Sequence, residues 1–277
     1  MKWIVITGGA FVIVFILFLL SLNDGSWQMI ACNVGQGDAF VLQKGRFQIL
    51  IDGGPSLERL VVCLERNLPM FDKHIEVVLV THADHDHYGG LVGLIDYYSV
   101  GIIYHNVYGD KEDDKYNYFV NYINDIANKY TKYSKVRNRQ KIVYKDGEFE
   151  MYLNNITNLQ NSTNTSSNLQ SIVSIFNTNL TSIIFTADSD AMMLNDIIVQ
   201  NYLFDKLNQN RIMIIPHHGS KSGLDHKLLN IVKPSFCILS VGKNSYGHPS
   251  QEVIKLVSSI NCKLLSTHGN KYIKVAL

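Results

Sequence analysis

The sequence predicts an α/β domain behind an N-terminal membrane span. Three observations point there. Short runs rich in Val, Ile and Phe recur along the chain, bounded by Gly, Asp or Asn. Between them lie stretches with apolar residues at three- and four-residue spacing, the period of a helix that buries one face. The segment Trp3–Leu22 holds no charged residue, which is enough apolar chain to cross about 30 Å of hydrocarbon as a helix.

The first element, residues 1–23, is expected to be a signal anchor. Its competitor is a cleaved signal peptide, whose apolar core is usually shorter and followed by an A-x-A-like site. The exit here is Leu20-Ser21-Leu22-Asn23-Asp24, which lacks one. Lys2 precedes the span, and no Lys or Arg follows until Lys44. The positive-inside rule then leaves the amino terminus in the cytoplasm and residues 24–277, read as one domain, outside the cell membrane.

Within that domain the expected strands are Met29–Asn33, Ala39–Leu42, Phe47–Asp52, Val77–Thr81, Ile172–Phe176, Ser182–Thr186, Ile212–Ile215, Phe236–Val241 and Tyr272–Val275. The expected helices are Ser56–Asn67, Gly90–Tyr98, Asp114–Tyr130, Ala191–Leu207 and Gln251–Ile260, with Ser250 as the cap of the last. Two segments break the pattern. Asn154–Asn168 is almost wholly Asn, Ser, Thr, Gln and Leu, and reads as an exposed loop. Lys129–Lys141 holds six Lys or Arg and no acid. It reads as a solvated face, with a phosphate-contacting patch as the functional alternative.

Composition narrows the function. The 277 residues carry 25 Lys+Arg against 24 Asp+Glu, with 46% hydrophobic residues. That excludes a disordered chain and a dedicated basic coat for duplex DNA. The cysteines, Cys32, Cys63, Cys237 and Cys262, are far apart and form no C-x-x-C pair. This argues against a cysteine zinc site. Their apolar surroundings predict buried thiols, with one disulfide as the alternative.

The chemistry concentrates in Thr81-His82-Ala83-Asp84-His85-Asp86-His87, where seven residues hold three imidazoles and two carboxylates directly after an apolar strand. Imidazole and carboxylate together suit Zn²⁺ or Mn²⁺. Two such ions activate water near neutral pH and clamp both oxygens of a phosphoryl displacement. Other polar groups follow strand ends: Asp52, Asp188, the pair His217 and His218, and His248. Loops after strand carboxyl ends build the site of an α/β sheet. Singly, each has a plainer reading. Asp188 could cap a following helix, and His248 could be a surface histidine.

These residues resemble the metallo-β-lactamase superfamily, whose motif has the form H-x-[HD]-x-D-H. The likeness is closer to the extracytoplasmic hydrolase domain of ComEC-type DNA-uptake proteins. It runs through Asn33-Val34-Gly35-Gln36-Gly37-Asp38, Ile51-Asp52-Gly53-Gly54, Thr81–Gly90 and Phe185-Thr186-Ala187-Asp188. It continues through His217-His218-Gly219-Ser220-Lys221, Ser240-Val241-Gly242 and Tyr246-Gly247-His248-Pro249. It implies a four-layer αββα sandwich with two metal ions at one edge of its sheets.

Carried over by position, His82 and Asp84 would bind one ion, and Asp86 and His87 the other. Asp188 would bridge them, and His217 or His218 would complete a shell. Asp86, Asp188 and His248 would be the catalytic residues, with His248 facing the substrate. Asn33, Asp38, Asp52, Ser220, Lys221 and Tyr246 would support the shell or touch substrate. The family has Asp where this chain has Asn33, which would lower metal affinity or rate, and Gly where it has Ala187. The third histidine of the lactamases has no clear counterpart. His105 lies in the interval but outside the expected context, and Asn168 is nearer the branch's Asn-Ser pair. Antibiotic hydrolysis is therefore disfavoured.

ComEC proteins also carry a channel, so this chain reads as a free-standing hydrolase domain, with a channel partner supplied by another chain. The expected activity is metal-dependent phosphodiester hydrolysis, with DNA as the substrate. The alternatives are a cell-wall choline phosphate or other small diester, and a non-catalytic, metal-stabilised DNA-binding module.

Overall fold

The computed structural model describes residues 25–105, 117–118, 120–121, 124, 132–136, 139–153, 167–201 and 203–277. The expected span Trp3–Leu22, most of the helix expected at Asp114–Tyr130 and most of the Asn-rich segment lie outside these residues. Among the described residues no helix is long and apolar enough to cross a membrane.

Two seven-stranded sheets face each other. The first contains β1 (Gln28–Cys32), β2 (Phe40–Lys44), β3 (Phe47–Ile51), β4 (His74–Val80), β5 (Ser99–His105) and β6 (Lys132–Lys135). The second contains β7 (Arg139–Tyr144), β8 (Gly147–Tyr152), β9 (Val173–Asn177), β10 (Thr181–Phe185), β11 (Asn210–Ile214), β12 (Phe236–Leu239) and β13 (Lys263–Ser266). The last strand, β14 (Tyr272–Ala276), returns to the first sheet and pairs antiparallel with β1.

The strand period of two sorts the side chains. In β3, Ile49 and Ile51 face the sandwich interior with Phe40, Phe176 and Phe185. Leu50, between them, faces outward against Leu60 and Leu64. In β10, Ile183 and Phe185 point inward, while Ile184 meets Leu194 and Ile197 on the other outer face. Strands buried on both faces need nearly unbroken apolar runs, and that is what made them visible in the sequence.

The helices covering the outer faces begin at side-chain caps. On the first sheet lies α1 (Leu57–Asn67), capped by Ser56. A four-residue helix, α2 (His85–Tyr88), follows β4. On the second sheet lie α3 (Ala191–Gln200), α4 (His226–Val232) and α5 (Gln251–Ser259), capped by Asp190, Asp225 and Ser250. The cap of α3 is thus Asp190, whose carboxylate accepts from the Met193 N–H at 2.7 Å, leaving Asp188 for another task. The expected αββα sandwich is the observed architecture.

Several expectations are corrected. The helix expected over Gly90–Tyr98 is two short 3₁₀ turns, because Gly93 turns the chain between them at φ 85°. The helix from Ala191 stops at Gln200 rather than Leu207. Strands β5 to β8 and β13 were not expected. The four cysteines are not thiols: Cys32 bonds Cys63, and Cys237 bonds Cys262. Each bridge ties an outer face to its sheet. Cys32 ends β1 and Cys63 sits on α1, while Cys237 lies in β12 and Cys262 just after α5.

Candidate metal centre

The loops after β4, β10, β11 and β12 meet at one edge of the sandwich. Parallel pairing sets this up. β3, β4 and β5 run in parallel, as do β10, β11, β12 and β13, so in each set the carboxyl ends lie at the same edge. From β4 come His82, Asp84, Asp86 and His87, from β10 Asp188, and from β11 His217 and His218.

Asp188 is the centre of this cluster. Its Oδ1 lies 3.2 Å from His87 Nε2 and 3.6 Å from His218 Nε2. Its Oδ2 lies 3.5 Å from His217 Nε2 and 3.8 Å from His82 Nε2. Asp86 Oδ2 stands 3.3 Å from His218 Nε2, and Asp84 Oδ2 stands 3.6 Å from His82 Nε2. One oxygen of Asp188 thus faces the set Asp86, His87 and His218, and the other faces His82, Asp84 and His217.

The geometry brings both His217 and His218 to Asp188, one on each side. Consecutive residues of a strand would point to opposite faces. Here both residues adopt left-handed backbone, at φ 49° and 53°. Ala187 shares that conformation at φ 47°, and its carbonyl accepts from the His217 N–H at 3.0 Å. Non-glycine residues held in that region cost of order 1–3 kcal/mol each, and such strain gathers at functional sites.

Partners behind the imidazoles fix which nitrogen faces forward. Asp52, buried at the end of β3, accepts from the Thr81 N–H at 2.8 Å and from its hydroxyl at 2.7 Å. The hydroxyl proton is thereby used, so Thr81 Oγ1 accepts from His82 Nδ1 at 2.9 Å. Asp52 also accepts from His87 Nδ1 at 2.8 Å. His218 Nδ1 donates to the Ser240 carbonyl at 3.0 Å, with Asp38 Oδ1 at 3.3 Å. All three rings therefore turn Nε2 into the centre, the nitrogen whose lone pair a cation would take once any proton on it has left. His82 Nε2, His87 Nε2, His218 Nε2 and Asp188 Oδ1 are buried there without a hydrogen bond. Buried polar atoms left in that state are costly. A divalent ion is the partner that resolves it, and the imidazole–carboxylate donor set fits zinc or manganese. The residues present fit the ions that the sequence led us to expect.

Glycine lets the loops close on this cluster. Gly37 sits at φ 135°, and a Cβ there would lie 2.2 Å from the Asp86 carbonyl oxygen. The Asp38 N–H donates to that same oxygen at 3.2 Å.

The ion-free charges balance one another. Burial opposes the charged form of His87, but Asp188 and Asp52 outweigh it and hold the ring well above its ordinary range. His218 is raised likewise by Asp188 and Asp38. Burial also opposes ionisation of Asp86, yet His218 and His87 draw it down to about 2. Asp188 falls well below the usual carboxylate range because His87 and His218 outweigh its burial.

A pH dependence follows for the ion-free protein. Groups raised in the folded state stabilise it below their unfolded value, about 6.5 for His, and that contribution is lost as pH rises. Lowered carboxylates stabilise above about 3.9 and lose their contribution in acid. Without metal, stability should therefore peak between roughly pH 4 and 6.5. Metal binding must expel the imidazole protons, so it strengthens as pH rises. Thermal melts in chelator and in excess Mn²⁺ should separate more widely at pH 8 than at pH 5.5. A separation independent of pH would contradict this assignment. A second expectation concerns Asp52. Asp52→Asn should weaken metal affinity about 10- to 100-fold, because the amide cannot hold both Thr81 and His87 as the carboxylate does. Metal titration by calorimetry reads the change.

The remaining residues fall outside the cluster or at its rim. His248 packs edge-on to His217 with ring centroids 5.4 Å apart. Burial first, and then His217 and His218, push it below its ordinary value, so it is neutral at pH 7. Tyr246 is exposed beside His248. Asn33 donates to the Asn270 carbonyl at 2.6 Å and accepts from the Gly35 N–H, tying two loops together at a cavity that both asparagines line. Ionised Asp, the family residue, could not make that donation. Ser220 closes the turn after His217 through its N–H, and its hydroxyl faces Ser222. Lys221 pairs with Glu252 on the outer helix α5. His105, buried at the end of β5, is pushed down to about 4 by burial and by Lys135. The sequence reading gave no role to Thr81 or Ser240, whose partners are visible only in three dimensions.

Comparison with known proteins agrees with this architecture. The metallo-beta-lactamase superfamily model matches residues 32–136. "ComE operon protein 3" of Bacillus subtilis is 23% identical over 96% of this chain and 35% of its own length. "Recombination protein 2" of Haemophilus influenzae is 24% identical over 87% of this chain and 27% of its own length. The chain thus spans roughly a third of these curated relatives. Among solved structures, the metallo-beta-lactamase fold protein YhfI of Bacillus subtilis superposes with a TM-score of 0.57 at 11% identity. That match covers 90% of this chain and 99% of the other.

Proposed function

We propose that this chain, a metal-dependent hydrolase of the metallo-β-lactamase superfamily, is a two-metal phosphodiesterase acting on DNA outside the membrane. The observation that carries the reading is the division of the Asp188 carboxylate, each oxygen facing its own set of histidines and a carboxylate. Two divalent cations, zinc or manganese, would be held by His82, Asp84, His217 and Asp188 on one side and by Asp86, His87, His218 and Asp188 on the other. When bound, they supply the Lewis acidity that activates water and neutralises phosphoryl oxygens.

The chain's own residues do the rest. Asp188 sets the separation of the two ligand sets. Asp52, Thr81 and the Ser240 carbonyl keep three imidazoles in the tautomer that presents Nε2. His248, neutral at pH 7, offers a hydrogen bond to the leaving group from the rim. The two disulfides favour an oxidising compartment. They agree with a domain held outside by the span at Trp3–Leu22, where a channel supplied by a separate chain would deliver or receive the strand. The near-neutral net charge of +1 keeps one alternative in view, a small diester such as a cell-wall choline phosphate.

The test is direct. The full chain is loaded with Mn²⁺ or Zn²⁺, its metal is counted, and turnover is assayed on single-stranded DNA and bis-p-nitrophenyl phosphate. Two ions and DNA cleavage are expected. Two ions with cleavage of the small diester alone would move the substrate to the small-molecule class. Fewer than two ions without turnover would leave a binding module.

A further inference from the structure

We infer that a second, basic cavity beside the metal centre holds a single strand of nucleic acid beyond the bond that is cut; this rests on the phosphodiesterase reading above. Two cavities lie on this face and share Arg59. The first, about 830 Å³, is lined by Asp86 of the metal cluster together with Arg59, His85, Lys243 and Tyr246. The second, about 510 Å³, lies between α1 and the turn before β14. Its walls carry Arg59, Arg66, Lys271 and Tyr272, with Glu58 as the one acid. Arg59 therefore stands between the cavity at the metal cluster and a cavity with three cations.

The spacing of those cations selects for a polymer. Arg59 and Arg66 are seven residues apart on α1, two turns along one face, which is about 10.5 Å. A single diester seated at Asp86 spans no such distance, whereas phosphates more than one nucleotide apart along a strand do. Arg59, Arg66, Lys243 and Lys271 form no ion pair with another described residue. By contrast, two cations of the basic stretch noted in the sequence are already neutralised: Arg139 pairs with Glu150, and Lys141 with Glu148. The better phosphate contacts are therefore on α1 and before β14. Gly35 leaves room for the arrangement, since a Cβ on it would lie 3.0 Å from Arg59 Nη1.

Aromatic rings stand in the same two cavities. Tyr246 is exposed in the first cavity, and Tyr272 is partly exposed in the second. A cationic groove with exposed rings is how single strands are held without sequence preference, the phosphates on cations and the bases on ring faces.

The double variant Arg66→Ala/Lys271→Ala tests this in the Mn²⁺-loaded full chain. The readout is kcat/KM on a 15-nucleotide oligothymidylate divided by kcat/KM on a dinucleotide. That ratio should fall about tenfold, and the log–log salt slope of strand binding should lose about 1.4, from two phosphate contacts at roughly 0.7 each. Tyr272→Ala should lower the ratio without changing the salt slope. An unchanged ratio, or equal losses on both substrates, would overturn the track while leaving the nuclease reading intact. A wild-type chain that hydrolyses bis-p-nitrophenyl phosphate but no oligonucleotide would overturn the DNA reading, and the track with it.

Discussion

Asp188→Asn should remove hydrolysis by at least about 10³-fold and leave the fold in place, since one carboxylate serves both ion sites that lower the barrier by several kcal/mol. The reason is positional. Asp188 is buried, and its two oxygens reach four imidazoles at 3.2 to 3.8 Å. An amide would aim N–H at atoms that must act as lone-pair donors to a cation. Both ligand sets would lose a member at once, so bound metal should drop towards zero by elemental analysis. His82→Ala is the comparison: it removes a ligand from one set only and should retain metal in the other. Circular dichroism and melting in chelator establish that each variant folds. Two ions per chain and full turnover in Asp188→Asn would refute the bridging role.

Removal of both disulfides is expected to have the largest effect on stability. Loop closure in the unfolded chain scales with the residues enclosed, here separations of 31 and 25. By the chain-entropy relation each bridge contributes about 3.5 kcal/mol, hence about 7 kcal/mol for the pair. A domain's whole stability is roughly 5–15 kcal/mol. The chain with all four cysteines replaced by Ala should therefore melt far below the parent or fail to fold at 37 °C. The single-bridge variants Cys32→Ala/Cys63→Ala and Cys237→Ala/Cys262→Ala keep the question measurable, each with a lower denaturant midpoint. An unchanged midpoint for either pair would show that its bridge does no structural work.

Much of the centre was legible because its signals are local. His82 to His87 are dense in donors and follow an apolar run, and Asp52 and Asp188 each close such a run. The strands at β1, β3, β4 and β10 to β12 are buried on both faces, so their composition betrayed them. What stayed hidden depends on contacts distant in sequence. Strand β7 alternates exposed Arg139, Lys141 and Val143 with half-buried neighbours, and its charges masked it as a solvated face. The helix expected after Gly90 failed at a single left-handed glycine, Gly93, that periodicity does not weigh. The cysteines gave no spacing signal because their partners lie across a sheet–helix contact. The choice between His217 and His218 was open because strand alternation predicts that one must face away. The left-handed backbone at both residues removes that constraint.

The first sheet delivers His82 to His87, and the second delivers Asp188, His217 and His218, so the cluster exists only when the sheets are seated on each other. Shifting a strand's pairing by one residue reverses the face that every side chain occupies. A misassembled chain could keep its strands and helices yet never gather these donors. Bound ions per chain therefore count correctly docked molecules, which secondary-structure content does not. A refolding experiment followed by metal uptake would time the closing of the sandwich itself.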